Sequence, residues 1–596
     1  MTENAAPSTP RWCVVGSADA ADVSQHKDHG YLAAVEIDAA GNRSAPHRFA
    51  VRDFAAFVAE REAETPRRWV WHDTAARYPG LLDAGVRVER CYDLRLCHQI
   101  LTASTYVTDE TARSELHSAS EWAVAADPGD TTRPLQDGPA LFEIEITPRS
   151  RTAPDSLAAA LDEFDRQRCA LQGAQQAGRL ALLLSAESAG ALIAVELASA
   201  GVPWDETEHD RILTEQLGPR PSLGAKPERM VEIGQQVRMA LADPRASLDS
   251  PPKLLGSLRA AGIEVSSTSR WELEEHEHPA IPLLLQYKKL ARLFSANGWA
   301  WLDEWVQNGR YRPVYVPGGV VTGRWASSGG GALQLPRQLR PALRADPGWL
   351  LVSADVSQLE PRVLAAMAGD RAMAAAGRGK DLYAGIVESG AVATRQEAKI
   401  AVLGAMYGST TGDAGRLVPR LRRTFPAAMR LVDEAATVGE QGGVVTTWLG
   451  RSSHPPGQEW VGLQEAASLP GATKRDEETA RRVAREFGRF TRNFIVQGTA
   501  AEWALAWMAQ LRLRLAAFPT ANKQLPAKAS GQVFEHSPHL AFFLHDEVIV
   551  HTPREHAAAV AEAIELAAVE AGRLLFGDAP VDFRLDLRTS ERALKD

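Results

Sequence analysis

Apolar and polar positions along this chain follow two periods, and the points where one gives way to the other mark its elements. Residues from about 10 to 175 mix short β-forming runs (Trp12 to Val15, Tyr31 to Ile37, Trp69 to Trp71) with helical stretches, which is an α/β pattern. From Gly178 to about Ala300 the apolar spacing is mostly helical, broken at Gly218-Pro219-Arg220-Pro221 and Ser250-Pro251-Pro252. Residues 310 to 365 are strand-rich and 366 to 440 helical; the remainder alternates and ends in strand, turn, strand and a long Ala-rich helix. Asp127-Pro128-Gly129 and Asp137-Gly138-Pro139 predict surface loops within the first region. The chain carries no internal repeat and no long low-complexity tract.

Two of the apolar runs stop at an aspartate. Leu350-Leu351-Val352-Ser353-Ala354 ends at Asp355, and Phe542-Phe543-Leu544 leads into His545-Asp546-Glu547 before Val548-Ile549-Val550 resumes, the pattern of a hairpin with acids in its turn. Carboxylates at strand ends from distant parts of a chain can meet at the end of a sheet. There they suit a pair of divalent metals about 3.5–4 Å apart, one activating an attacking hydroxyl and the other neutralising a leaving pyrophosphate. Taken alone, His545-Asp546-Glu547 reads better as a surface turn, and only its pairing with the Asp355 segment changes that. After Asp355, Ser357-x-x-Glu360 followed by Val363, Leu364 and Met367 marks a helix start, with Pro361 admissible only in its first turn. Ser357 and Glu360, by themselves, also fit a capping box.

Between these segments lies Arg395-x-x-x-Lys399-x-x-x-Leu403-Gly404-x-x-Tyr407-Gly408. Arg395, Lys399 and Leu403, spaced by four, share one face of a helix about 18 Å long. Two cations on one face suit a triphosphate, and the aromatic ring of Tyr407 suits a base. A plain amphipathic helix with exposed cations is the alternative. Gly379-Lys380 is followed by Asp381, which argues against a P-loop nucleotide site. The three segments together point to template-directed phosphoryl transfer.

Composition narrows the class. At 596 residues the chain predicts two to four domains, and 45% hydrophobic with 24% charged residues is ordinary for a globular protein. The polar start (Thr2, Glu3, Asn4) lacks the regions of a signal peptide, and no run approaches the apolar length of a membrane span, so no membrane and a cytoplasmic location are expected. Cys13, Cys91, Cys97 and Cys169 lack Cys-x-x-Cys spacing and are expected to be reduced, structural thiols. A net charge of −9 argues against indiscriminate coating of nucleic acid but leaves room for a local basic groove. Basic residues do cluster, at Arg416, Arg420, Arg422 and Arg423 and again from Lys474 through Arg475, Arg481, Arg482, Arg485 and Arg489 to Arg492; pairing with Glu477, Glu478 and Glu486 on a solvated helix face is the simpler reading.

At these residues the sequence resembles the bacterial DNA polymerase I family, family A. Asp355 to Arg362 is similar to the family's first palm motif, Arg395 to Gly408 to its fingers helix, and His545-Asp546-Glu547 to its second palm motif, in the family's order. Thr322-Gly323-Arg324 resembles the segment that contacts the primer end and incoming nucleotide. Arg489, Asn493 and Gln497 resemble residues on the template and minor-groove side.

The resemblance implies an α+β right-hand polymerase (palm, fingers, thumb) behind an α/β ribonuclease H-like exonuclease-type domain. The expected boundaries are 1–177 for a degenerate 3′-5′ exonuclease-like domain, 178–308 for a mostly helical thumb, 309–365 for the first part of the palm, 366–465 for fingers and 466–596 for the second part. It implies Asp355, Asp546 and Lys399 as the catalytic set, with two Mg²⁺ ions (Mn²⁺ able to substitute) held by Asp355, Asp546 and the Val356 carbonyl. Arg395, Lys399, Leu403, Tyr407, Glu360 and Gln358 would meet the nucleotide, with Glu360 excluding a ribose 2′-hydroxyl. Arg324, Arg489, Asn493, Gln497 and His545 would contact DNA. The implied partners are primer-template DNA and deoxynucleoside triphosphates, for a monomer in the bacterial cytoplasm or nucleoid.

The resemblance thins in places. The first strand, Trp12-Cys13-Val14-Val15-Gly16-Ser17-Ala18, lacks the Asp-x-Glu pair of a 3′-5′ exonuclease, and His72-Asp73-Thr74-Ala75-Ala76-Arg77-Tyr78 puts arginine where a carboxylate belongs. Around Phe164-Asp165-Arg166 the expected tyrosine is missing. A scaffold without its metal site and without proofreading is expected, and no room is expected for the 5′ nuclease domain of longer relatives. Leu403 and Val356 replace residues that are aromatic in the family. The rival readings are a polymerase with residual exonuclease activity, a catalytically weak DNA-end-binding protein, a related RNA polymerase and a nuclease.

Overall fold

The computed structural model describes residues 10–18, 30–124, 152–328, 330–331, 335–408, 412–521 and 523–593. The two expected loops at Asp127-Pro128-Gly129 and Asp137-Gly138-Pro139, and the polar start, lie outside these. The first region forms a five-stranded mixed sheet in the order β3-β2-β1-β4-β5, from β1 (Pro10–Ser17), β2 (Tyr31–Asp38), β3 (His47–Ala50), β4 (Arg68–Trp71) and β5 (Arg90–Asp93). β1 pairs antiparallel with β2 and parallel with β4, and β4 runs parallel to β5. Cys13, Val15, Trp69, Trp71 and Cys91 are buried, as expected where helices cover a sheet. Cys169, in contrast to its expected structural role, is exposed.

Residues 177 to 305 are mostly helical, interrupted after the first helix by β6 (Val202–Pro203), which joins β7 (Val306–Gln307) and β8 (Arg310–Tyr311) in one small sheet; β9 (Tyr315–Val316) and β10 (Ala326–Ser327) form another. A four-stranded antiparallel sheet then assembles in the order β12-β13-β11-β14 from β11 (Trp349–Val356), β12 (His539–Leu544), β13 (Glu547–Pro553) and β14 (Leu585–Ser590). The final strand β14 goes beyond the expected ending in a helix. Between β11 and β12 the chain is helical, with a separate apolar core built on Leu364, Val402, Met406, Leu421, Val432 and Phe494.

Two helices tie these layers together. Lys474–Ala516 runs for 43 residues, opened by a capping box between Thr473 and Asp476, and its C-terminal half is buried against the sheet. Ala177–Ala200 packs beside it, close enough that a Cβ on Gly190 would lie 2.7 Å from Leu505 Cδ2. Contrary to the expectation from apolar run length, this 24-residue helix is long and apolar enough to cross a membrane, but 72% of its most apolar stretch is buried inside the protein. It carries two buried glutamates, and both face arginines. Glu196 accepts from Arg512 (2.6 Å), Arg87 (2.8 Å) and the Tyr78 hydroxyl (2.7 Å), while Arg512 also donates to the carbonyls of Val88 and Glu89. One carboxylate thereby joins the first sheet's layer to the long helix.

Burial raises the pKa of Glu196, and the opposing charges of Arg512 and then Arg87 outweigh it, leaving the carboxyl at about 2 against an ordinary 4.5. A lowered folded-state pKa means that this stability is fully present above pH 4.5 and is lost as pH falls through about 2. Arg512→Met should lower stability at neutral pH by about 3 kcal/mol and flatten this acid limb, because it strips charge from a buried pair. Denaturant unfolding across this pH range checks it; an unchanged acid limb would contradict the role assigned to Arg512.

Candidate active site

The segments carrying the two aspartates come together because β11 and β13 pair in one register. Asp355 lies opposite Glu547 in β13 and Asp586 in β14, and the Val356 N–H donates to the Asp546 carbonyl at 3.0 Å. Leu544 pairs with Glu547, so His545 and Asp546 form a two-residue hairpin turn. His545 holds φ +59°, a region where glycine is at home and a side chain is strained. His545 is exposed, Asp355 and Asp546 half-buried, and Glu547 buried. The Glu547 carboxylate is held by both ends of the Arg340 guanidinium, at 2.7 and 2.5 Å, with both residues 5% exposed or less. Arg340 sits in a short 3₁₀ turn (Arg337–Ala342) whose neighbouring sequence gave no sign of this charge partner, 207 residues away.

The Arg395–Tyr407 helix starts with a capping box between Thr394 and Glu397 and ends at Gly408 with φ +71°. A Cβ on Gly408 would lie 2.8 Å from Arg489 Cγ, and Arg492 donates to the Ala405 carbonyl at 2.6 Å, so this end is docked on the long helix. Lys399 is exposed, Leu403 half-buried and Tyr407 exposed. Arg395 pairs with Asp381 at 2.8 Å and lies 5.6 Å over the ring of Tyr383. Gln358 donates to the same Asp381 at 3.0 Å and accepts from the Leu382 N–H, so Asp381 gathers Arg395 and Gln358 at one helix start.

Glu360 does not cap its helix. Leu359–Ala368 begins after Gln358, at φ +53° and with no side-chain cap, so the Ser357-Glu360 capping box that the sequence allowed is not formed. The Glu360 carboxylate instead accepts from Arg324 and, at 2.8 Å, from the Tyr407 hydroxyl. Burial and then Glu360's charge push the Tyr407 hydroxyl upward, keeping it a donor. Arg324, Glu360 and Tyr407, from three separate segments, form one chain of contacts beside the strand ends. Arg489 is exposed and Asn493 and Gln497 half-buried, at four-residue spacing on the long helix. Asn493 Oδ1 is buried without a hydrogen-bond partner. Of the basic clusters, Arg481, Arg482 and Arg422 pair with Glu477, Glu486 and Asp433, as the simpler reading had it.

In the first sheet's layer, Arg77 pairs with Asp155, to which the Ser17 hydroxyl also donates at 2.7 Å, and His72 Nδ1 lies 3.8 Å from the same carboxylate. Phe164 is buried against Trp12 and Tyr92. Neither Asp155 nor Ser17 was singled out in the sequence, because each is a lone polar residue without a motif.

A palm-like antiparallel sheet with two carboxylates at its end, a capped basic helix and a long helix behind both defines a right-hand polymerase fold. The profile of DNA polymerase family A matches residues 235–576, more than half of the sequence, and the chain belongs to that family. DNA polymerase I of Chloroflexus aurantiacus is 32% identical over 300 residues, 46% of this chain and 30% of that protein. The thermostable DNA polymerase I of Thermus aquaticus is 26% identical over 338 residues, 52% of this chain and 36% of that protein. The matches thus span about a third of the length of these relatives. Among solved structures, the POL domain of Pol1 from M. smegmatis, in complex with DNA primer-template and dNTP, shares the fold with a TM-score of 0.63 at 17% identity, over 98% of this chain and 95% of that one.

Arg340→Met should leave Glu547 a buried, uncompensated charge beside Asp355. The expected loss is about 3–5 kcal/mol, and the paired change Arg340→Met with Glu547→Leu should recover most of it. Unfolding midpoints of the three proteins check this; equal midpoints for the single and paired variants would contradict it.

Proposed function

We propose that this chain is a DNA-templated DNA polymerase that adds deoxynucleotides to a primer 3′ end by two-metal phosphoryl transfer, in DNA repair or replication. The observation that carries the reading is the Val356–Asp546 backbone bond, which brings the turn carrying Asp546 to the residue that follows Asp355 at one sheet end. Asp355, Asp546 and the Val356 carbonyl suit Mg²⁺, which takes one or two carboxylates and leaves its other positions to water and substrate phosphates. Glu547, committed to Arg340, is not part of that donor set. When bound, the two ions would supply activation of the primer hydroxyl and neutralisation of the leaving pyrophosphate.

The remaining roles follow from side-chain chemistry. Lys399, exposed on the fingers helix, offers a cation to the triphosphate. Arg395 would turn from Asp381 toward the same group, which fits an ion pair at the surface that costs little to exchange. Leu403 faces the sugar with an aliphatic surface and no hydroxyl. Tyr407 and Glu360, joined through the tyrosine hydroxyl, wall the side on which a ribose 2′-hydroxyl would sit, with Gln358 supporting the turn beside them. Arg324, Arg489, Asn493, Gln497 and His545 line the DNA side. We assign residues 1–177 as the exonuclease-like domain, 178–308 as thumb, 309–365 and 466–596 as palm and 366–465 as fingers, in a monomer acting in the bacterial cytoplasm or nucleoid. Proofreading is absent in this reading, since Arg77 occupies Asp155 and a cation cannot replace a metal-binding carboxylate.

Asp355→Ala and Asp546→Ala should each reduce Mg²⁺-dependent primer extension by about a thousandfold or more while DNA binding is largely kept. In the same assay without deoxynucleotides, neither wild type nor variant should shorten a mismatched primer. Extension retained in both variants would refute the site, and 3′ shortening would refute the loss of proofreading. Separately, Glu360→Ala should raise ribonucleotide over deoxynucleotide incorporation by about tenfold, from a lost contact of about 1–3 kcal/mol. Competition between the two nucleotides reads this ratio; an unchanged ratio removes Glu360 from sugar selection.

A further inference from the structure

Arg324 reaches the candidate site from a tight turn in which Gly323 N–H donates to the Val320 carbonyl and Val320 N–H to the Arg324 carbonyl. What holds this turn in place comes from elsewhere in the chain. Gly323, at φ +83°, lies flat against the guanidinium of Arg451, so closely that a Cβ there would collide with Arg451 Nε. Arg451 is in turn fixed by Glu187, 1% exposed on the Ala177–Ala200 helix, at 2.6 Å. It sits in a narrow loop closed by the Thr446–Ser452 bridge, with Thr447 N–H donating to the Arg451 carbonyl at 2.8 Å.

This loop is fastened on two further sides. On the long helix, Glu502, 1% exposed, accepts from the Thr447 hydroxyl and from the Leu449 N–H at 3.0 Å, and Thr499 accepts from the Trp448 N–H. Gly498 lets both segments approach: a Cβ there would lie 2.5 Å from Thr447 Cγ2 and 3.2 Å from the Thr322 carbonyl. On the exonuclease-like side, the Ser104 hydroxyl donates to the Gly450 carbonyl at 2.6 Å, Thr105 N–H to the Ser452 hydroxyl at 2.9 Å, and the hydroxyls of Thr105 and Thr446 meet at 2.7 Å. Tyr106 lies over Gly450, whose φ is +118° and where an added Cβ would lie only 2.7 Å from the Tyr106 ring, so no side chain fits.

We propose that Arg451 is a positioning residue for Arg324, and that the Ser104–Tyr106 segment of the exonuclease-like domain acts through the 446–452 loop and Arg451 on the polymerase site. The inference rests on the reading of Arg324 as part of that site. It gives a domain with an arginine in place of a nuclease carboxylate a present use: its connector bears on the loop that backs the turn carrying Arg324. Three physical features support transmission rather than simple packing. The contact to Gly323 is made by a planar cation against backbone, the cation's other side is fixed by a buried carboxylate, and the Arg324 side chain continues the chain of contacts to Glu360 and Tyr407.

The test is a double-mutant cycle on the full chain, reading kcat/KM for insertion of one deoxynucleotide with Mg²⁺, with thermal unfolding of each protein alongside. Arg451→Met should lower kcat/KM about tenfold in the otherwise unchanged protein and less than about twofold in an Arg324→Ala background. Arg451→Lys, which keeps the charge toward Glu187, should recover part of the loss. Tyr106→Leu, which leaves the Glu187–Arg451 pair intact, should give a smaller loss that also vanishes with Arg324→Ala; this cycle decides the matter if Arg451→Met does not fold. Equal losses in both backgrounds would overturn the positioning role while leaving the polymerase reading intact. An Arg324→Ala protein with unchanged kcat/KM would overturn the positioning role together with the place of Arg324 in the site.

Discussion

The antiparallel pairing of β11 with β13 is the constraint on which the remainder depends. Side chains alternate along a strand, so a slip of one residue would turn Asp355 to the opposite face and part it from Asp546. The register is pinned from both sides. Leu351, Val352 and Ala354 of β11 and Val548, Ile549 and Val550 of β13 are buried, and β14 pairs with β11 along its other edge, with Asp586 opposite Asp355. The hairpin turn then joins the Asp546 carbonyl by one backbone hydrogen bond to Val356, the last residue of the strand and the neighbour of Asp355, and the strained His545 is the local cost of that tight reversal.

A second theme is the use of arginine as a partner for buried carboxylates. Glu187, Glu196 and Glu547 are each nearly inaccessible, and each faces a guanidinium from a distant part of the chain. Burying such charges is expensive unless geometry and hydrogen bonding are good, and the planar, multiply donating guanidinium meets both needs. The three pairs join the exonuclease-like layer, the two long helices and the palm sheet. In a chain with a net charge of −9, Arg340, Arg451 and Arg512 thus serve as internal joints.

Much of this was legible in the sequence because the decisive signals are short and periodic. The apolar runs before Asp355 and around Asp546, the four-residue spacing of Arg395, Lys399 and Leu403, and Gly408 as a helix end all appear as elements at the expected places. Strand β14 was missed although Leu585-Asp586-Leu587-Arg588 alternates with period two, because the preceding Ala-rich helix was taken as the chain's closing element. Arg340, Arg451 and Asp155 were missed for a different reason: their partners, Glu547, Glu187 and the Ser17, His72 and Arg77 set, lie far away in sequence, where no local pattern encodes the contact. The Ser357-Glu360 box shows the converse error, a valid local pattern overridden because Arg324 and Tyr407 offered Glu360 better partners.

The central claim is that Asp355 and Asp546 together hold the divalent ions on which nucleotide addition depends. It is tested most directly by anomalous diffraction from crystals of the full chain with primer-template DNA, a non-hydrolysable deoxynucleotide analogue and Mn²⁺. The account predicts two manganese peaks about 3.5–4 Å apart, each within coordinating distance of both aspartates and of the analogue's phosphates, with Glu547 still on Arg340. Manganese bound elsewhere, or held by Glu547 in place of either aspartate, would contradict it.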